Sequence, residues 1–211
     1  VLELSQGIAG AYATKLFVDA GADVIKIGAV QDAPLERFLG AGKRVAEGVT
    51  QELLAAADLL VCDTEPPAHR PAPSQVLLSI TPYGGSGPWR DRPATEFTLQ
   101  AESGSLGTRG LPGQEPFQAG GRITEWIGGT YAAVAALAAL LRMRSTGHGE
   151  RIDFSLFEGI TLAGTNYVDL TFRLMAGPPD PEQLGGLPQS VETPSIEPTK
   201  DGYVGFCTNS R

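Results

Sequence analysis

Short apolar runs separated by stretches of helical spacing constrain this chain most, because only a layered α/β architecture buries such runs on both faces. Residues 1–4 form the first strand pattern, and residues 8–20 follow with Leu16, Phe17 and Ala20 at helical spacing before Gly21. Residues 22–27, ADVIKI, form a second strand. Residues 28–43 are polar and Pro-containing and read as irregular. Thr50 is placed to cap a helix through Ala57, with Glu52 in its first turn. Residues 59–62 and 76–80 are continuous apolar runs, as buried parallel strands are. The order β-α-β-α-β-β predicts an α/β doubly wound parallel sheet, Rossmann-like in plan.

Beyond Ile80 the texture changes. Gly and Pro crowd residues 83–93, a short helix is expected over 96–102, and 104–121 reads as irregular. An Ala-rich helix follows over about 124–144, then a strand over 151–156 and a helix over about 157–175. Its run 126–141 is Ala- and Gly-rich, ends at Arg142 and Arg144, and is shorter than a bilayer span, so it reads as a buried core helix. The Pro- and Gly-rich residues 177–198 precede an alternating strand at 202–207. Two domains are expected: residues 1–175 as a large α/β domain, and 176–211 as a linker with the first strand of a smaller one. That strand would stand unpaired, and the chain reads as part of a longer one.

Negative evidence narrows the function. A net charge of -8 argues against nonspecific attraction to nucleic acid or anionic membrane. The turn at Gly7 to Gly10 lacks G-x-G-x-x-G, and Gly28 stands where an acidic ribose ligand would end the second strand. The glycines there read as a close helix–sheet contact. No P-loop and no G-x-S-x-G elbow occurs. Cys62 and Cys207 match no metal spacing and read as reduced, cytoplasmic thiols; His69 and His148 read as solvated loop residues.

Five segments taken in order carry a family resemblance: LELSQGIAGA at 2–11 running to GADVIKI at 21–27, SITPYGGSGPWRDRP at 79–93, QAESG at 100–104, AALLRMRSTGHGERIDFSL at 138–156 and KDGYV at 200–204. In this the chain resembles the amino-terminal portion of the class III (CaiB/BaiF-type) acyl-CoA transferases. The resemblance implies transfer of coenzyme A between an acyl-CoA and a carboxylic acid, with CoA as substrate and no tightly bound cofactor. It also implies longer chains that interlock as a homodimer.

The family's nucleophile is an Asp that forms a mixed anhydride with the donor acyl group. The matching position here is Glu125, in RITEWIGG at 122–129. Glu reaches about 1–1.5 Å further than Asp, and misplacement on that scale can cost about a hundredfold. Without the resemblance Glu125 is a first-turn helix residue after an N-cap Thr124. Glu96 sits at the family's second acid, after Thr95 where the family has Tyr, or is itself a first-turn acid. The resemblance further implies CoA contacts from Ile8 and Ala9 at the first turn, from Arg37, Lys43 and Arg44 to the phosphates, and from Arg70. CDTEPP at 62–67 replaces the family's adenine-contacting ENFRPG, and Gly28 replaces its Glu. Two other functions stay open. A racemase of the same fold would need a proton-shuttling His, and Thr95 holds that position. A silent CoA-binding homologue would fit the Glu for Asp exchange.

Overall fold

The computed structural model describes residues 1–29, 33–63, 72–108, 115–164 and 196–205. Six parallel strands form its sheet: β1 (Leu2–Glu3), β2 (Ile25–Ile27), β3 (Arg44–Ala46), β4 (Leu59–Cys62), β5 (Val76–Thr81) and β6 (Arg151–Ser155). Their spatial order is β3-β2-β1-β4-β5-β6. The chain winds outward from β1 through β2 to β3, returns to the middle at β4, and winds the other way. The expected doubly wound α/β sheet is therefore present. Ligands of such sheets bind where the winding reverses, beyond the carboxyl ends of the strands, which here means between β1 and β4.

Burial explains the strands that the sequence announces. Every residue of β4, and Val76 to Ile80 of β5, is buried, so LLVC and VLLSI are apolar with little alternation. On one face Val61, Leu78 and Ile80 pack with Ala9 and Ala13 of α1 (Ile8–Asp19) and Ala132 and Ala136 of the long helix Ile123–Thr146. On the other, Leu2, Leu60 and Leu77 pack with Leu54 of α3 (Gln51–Ala56). Thr50 caps α3 as expected, accepting from Leu53 N at 3.2 Å.

Small residues let α1 approach both sheet and helix. A Cβ on Gly10 would stand 2.2 Å from Ser5 Oγ, and one on Gly129 would stand 2.6 Å from Ala9 O. By length and hydropathy alone the helix Ile123–Thr146 could cross a membrane. Its Gly128, Gly129, Ala132, Ala133, Ala136 and Ala139 are buried, as in a core helix.

Several expectations need correction. Residues 34–40, read as irregular, form α2 (Pro34–Gly40), with a proline in its first turn and Leu39 as its one buried side chain. A single anchor gives no periodicity to detect. β3 was not expected, because an edge strand of two exposed and one half-buried residue has no apolar signature. Backbone pairing makes it: Arg44 N to Val24 O and Gly28 N to Ala46 O, both 2.9 Å.

α4 (Glu96–Glu102) matches its expected span, and α5 (Ile123–Thr146) begins after an N-cap at Arg122, not Thr124. β6 leads into α6 (Leu156–Gly164), and the remainder of the helix expected to residue 175 lies outside the described residues. β7 (Ile196–Pro198) pairs antiparallel with β8 (Tyr203–Gly205), so the strand expected to stand alone has a partner. Arg70, His69, Cys207 and the expected domain boundary also lie outside the described residues.

Candidate active site

The amino terminus of α1 faces the reversal point, and its own sequence leaves it uncapped. Gly7, the N-cap, has no side chain to accept a hydrogen bond, and the first turn holds no acid. The leading amides therefore need acceptors from elsewhere. Asp63, the residue after β4, accepts Gln6 N at 2.6 Å and Gly7 N at 2.9 Å on Oδ2. Glu125 accepts Ile8 N at 2.6 Å and Ala9 N at 3.4 Å on Oε2. Two carboxylates from separate elements thus share one helix terminus, whose dipole favours negative charge. A Cβ on Gly7 would stand 3.3 Å from Glu125 Oε2 and 3.7 Å from Asp63 Oδ2, so the glycine keeps the space between them open.

Glu125 is aimed by the first turn of α5. Arg122, its N-cap, has φ 59° and ψ 47° and is the one non-glycine with positive φ among the described residues. Its guanidinium pairs with Glu125 Oε1. The other N-terminal donors of α5 turn to Glu96, whose Oε1 accepts Thr124 N at 3.0 Å, Thr124 Oγ1 at 2.9 Å and Gln100 Nε2 at 2.6 Å. Glu96 therefore fixes the residue beside Glu125, and its charge sits on the α5 terminus much as Glu125 sits on that of α1. Tyr12 and Trp126 meet edge to face, with ring centroids 4.7 Å apart, and tie the two helices together beside these termini.

A cavity of about 240 Å³ opens here, with Gln6, Gly7, Ile8, Leu35, Lys26 and Arg122 in its lining. Under it Glu3, with no exposed surface, accepts Lys26 Nζ at 2.8 Å, Lys43 Nζ at 2.7 Å and Thr14 Oγ1 at 2.6 Å. Burial alone would push the Glu3 carboxyl up. The Lys43 charge and the hydrogen bonds from Lys26, Lys43 and Thr14 outweigh that and hold it below its ordinary value.

The residues singled out from the sequence divide accordingly. Ile8, Ala9, Glu125 and Glu96 come together, but the Ile8 and Ala9 amides hold Glu125. Lys43 also donates to Ala11 O at 2.7 Å and Thr14 Oγ1 at 2.8 Å, and its side chain is fully buried. Those three acceptors commit the ammonium to the buried side of the cavity wall. Arg44 pairs with Asp23 on the surface, and Arg37 is exposed in the last turn of α2. Sequence reasoning missed Asp63 and Arg122. An acid directly after a fully buried strand was the available signal for Asp63. For Arg122 it was a cation three residues before the proposed nucleophile, following Gly120 and Gly121. Among the described residues no group of three or more His, Cys, Asp or Glu is placed to hold a metal ion. Burial pushes the Cys62 thiol up to about 11.

Comparison with known proteins adds to this geometry. Residues 1–50 and 46–211 match CoA-transferase family III. The chain is 27% identical over 247 positions to succinate–glutarate CoA-transferase of Agrobacterium fabrum, covering 97% of this chain and 60% of that protein. It is 26% identical over 241 positions to a subunit of succinyl-CoA:(R)-benzylsuccinate CoA-transferase of Thauera aromatica, covering 95% and 57%. Among solved structures, a CAIB/BAIF family protein from Brucella suis superposes with a TM-score of 0.77 at 23% identity, over 96% of this chain and 63% of that one. The chain spans about three fifths of the length of these relatives.

Proposed function

We propose, because this chain belongs to CoA-transferase family III, that the protein transfers coenzyme A from an acyl-CoA to a carboxylic acid through intermediates on Glu125. The observation that carries this reading is the Glu125 carboxylate itself, 13% exposed and held at a helix amino terminus by Ile8 N at 2.6 Å. A Glu125 oxygen attacks the thioester carbonyl, the C–S bond breaks, and CoA thiolate leaves with the electron pair. The thiolate then attacks the Glu125 carbonyl of the mixed anhydride and expels the donor acid, leaving a glutamyl-CoA thioester. The acceptor carboxylate repeats the sequence in reverse.

Each attack on the Glu125 carbonyl raises negative charge on an oxygen that Ile8 N and Ala9 N can stabilise. A donor of that kind is worth about 100- to 1,000-fold in rate. Every nucleophile and leaving group in the cycle is an anion, so no step requires a proton shuttle. A racemase would need one, and the described residues place no histidine beside Glu125. Thr95, where the racemase has His, is engaged in a capping box with Thr98 at the start of α4, and His148 is exposed in the turn after α5.

CoA is a substrate in this reading. Arg37, exposed in the last turn of α2 beside the cavity, is the candidate this reading puts at its phosphates; Arg44 pairs with Asp23 at the other end of the strands, and Lys43 with buried Glu3. Function as a homodimer is part of the proposal, supported by the apolar outer stripe of α5.

The test uses the full-length protein, succinyl-CoA as donor, and glutarate, benzylsuccinate, citramalate and malate as acceptors. Glu125→Gln should abolish transfer, and hydroxylamine trapping should mark the Glu125 peptide only in the unsubstituted enzyme. Glu125→Asp withdraws the carboxylate by about 1–1.5 Å from Ile8 N, so activity should fall about a hundredfold. A fully active Glu125→Gln enzyme with an unmodified Glu125 peptide would falsify the assignment.

A further inference from the structure

We infer that Arg122 binds the carboxylate of the incoming acceptor acid while Glu125 carries CoA, an inference that rests on Glu125 being the nucleophile. Charge balance within the site motivates it. In the free site the Arg122 guanidinium is paired with Glu125 Oε1. Acylation or thioester formation at Glu125 removes that negative charge. Ile8 N and Ala9 N are neutral donors and serve a carbonyl oxygen as they serve a carboxylate. The guanidinium is charged and loses its counterion.

Neighbouring cations in the cavity wall are already committed. Lys43 is held by Glu3, Ala11 O and Thr14, and Lys26 donates to Glu3 and, at 3.4 Å, to Ser5 O. Their counterion, Glu3, takes no part in the reaction and keeps its charge. Among the described residues lining the cavity, Arg122 is thus the cation whose partner is neutralised during turnover. Its side chain is 58% exposed beside a Glu125 that is 13% exposed, so it bridges the nucleophile and the open cavity.

Backbone strain is independent support. A left-handed conformation at φ 59° suits glycine, and glycines occupy the two preceding positions, yet an arginine stands here. Trp126 Nε1 donates to Gly121 O at 2.9 Å, and Glu125 N to Arg122 O at 3.1 Å, which pins the strained residue from both sides. Strain that the surroundings enforce is a mark of functional positions.

The step balances without a proton. One oxygen of the acceptor carboxylate attacks Glu125 Cδ of the thioester while the other lies on the Arg122 fork, a planar donor matched to a carboxylate. The C–S bond breaks, its electron pair leaves on CoA thiolate, and the anhydride of Glu125 with the acceptor forms. Thiolate then attacks the acceptor's carbonyl carbon, and the released Glu125 carboxylate pairs with Arg122 again.

Arg122→Gly, Arg122→Lys and Arg122→Gln in the full-length enzyme test this, with succinyl-CoA as donor and glutarate, or the panel acid turned over fastest, as acceptor. With donor alone, Arg122→Gly should still form the first Glu125 adduct, the mixed anhydride that hydroxylamine traps, while its KM for the acceptor rises about tenfold to a hundredfold. Arg122→Lys should recover part of the loss. Arg122→Gly should melt no lower than the parent, because glycine relieves the positive φ. An acceptor KM unchanged in Arg122→Gly overturns the inference, as does a parallel loss of adduct and transfer, which would confine Arg122 to holding Glu125. If the unsubstituted enzyme forms no Glu125 adduct, the nucleophile assignment itself is wrong and this role goes with it.

Discussion

Replacing Lys43 with methionine separates what the sequence suggests from what the structure shows. As a phosphate ligand Lys43 would govern CoA affinity; as the buried partner of Glu3 it governs stability. Its Nζ donates to Glu3 Oε2 at 2.7 Å, Ala11 O at 2.7 Å and Thr14 Oγ1 at 2.8 Å, and neither Lys43 nor Glu3 has exposed side-chain surface. Removing one member of a buried ion pair costs about 3–5 kcal/mol, because the remaining charge is stranded. Lys26 still contacts Glu3 Oε1 at 2.8 Å, which places the expected loss near the lower end, about 3 kcal/mol. Against a total stability of about 5–15 kcal/mol that is a large fraction. With a urea m-value of about 3 kcal/mol/M, the midpoint should fall by about 1 M.

The pH dependence carries a definite sign. The Glu3 carboxyl is held below its ordinary value, so its contribution is present at neutral pH and is lost as pH falls through the folded-state value. The gap between the parent and Lys43→Met should therefore narrow on acidification. Protonating Glu3 removes the stabilising charge from one and relieves the stranded charge in the other. Glu3→Gln combined with Lys43→Met should regain part of the loss. Urea titrations at neutral and acid pH measure both effects. A Lys43→Met protein within about 1 kcal/mol of the parent, but with CoA affinity sharply reduced, would refute the buried-pair argument and restore the phosphate role.

The outer face of α5 exposes Tyr131, Val134, Leu137 and Leu141, an uncovered apolar stripe at helical spacing. The full-length protein is expected to sediment as a homodimer that Val134→Asp weakens; a parent enzyme that stays monomeric at micromolar concentration contradicts this. Cys62 is buried, with its thiol pushed up to about 11, so it should resist a disulfide reagent at pH 8 in the native protein and react promptly in denaturant. Prompt native reaction would show that the carboxyl end of β4 opens.

What was legible in the sequence tracks how each element is stabilised. β4 and β5 are buried on both faces, and their apolar runs predicted them to within a residue. Thr50 and Glu96 lie at helix starts because local capping chemistry selects such residues. α2 and β3 escaped because one rests on a single buried Leu39 and the other on backbone pairing to β2. Neither device leaves a periodic trace. The same distinction applies to charge. Lys43 and Arg44 are adjacent and look alike in sequence, yet one is sealed under α1 and the other lies at the surface with Asp23. Only the fold decides which of the two cations is a structural part.

Glu125 is a candidate by resemblance, and its surroundings suit the longer acid. The proposed nucleophile is borrowed: it rises from α5 and crosses to α1, whose N-cap is a glycine without an acceptor of its own. Gly129 sets the helix spacing through its contact with Ala9, and Glu96 anchors Thr124 next to the acid. The carboxylate must therefore span a gap fixed by other residues. The 2.6 Å bond to Ile8 N shows that glutamate spans it, with Gly7 leaving room beside Oε2. Asp63 meets the preceding amides, so each acid has its own donors and the two need not compete for the terminus. A site defined by who supplies the acceptor to whom depends on distances between helices. Those distances are set by packing, which is why Asp63 and Arg122 emerge only once the helices are in place.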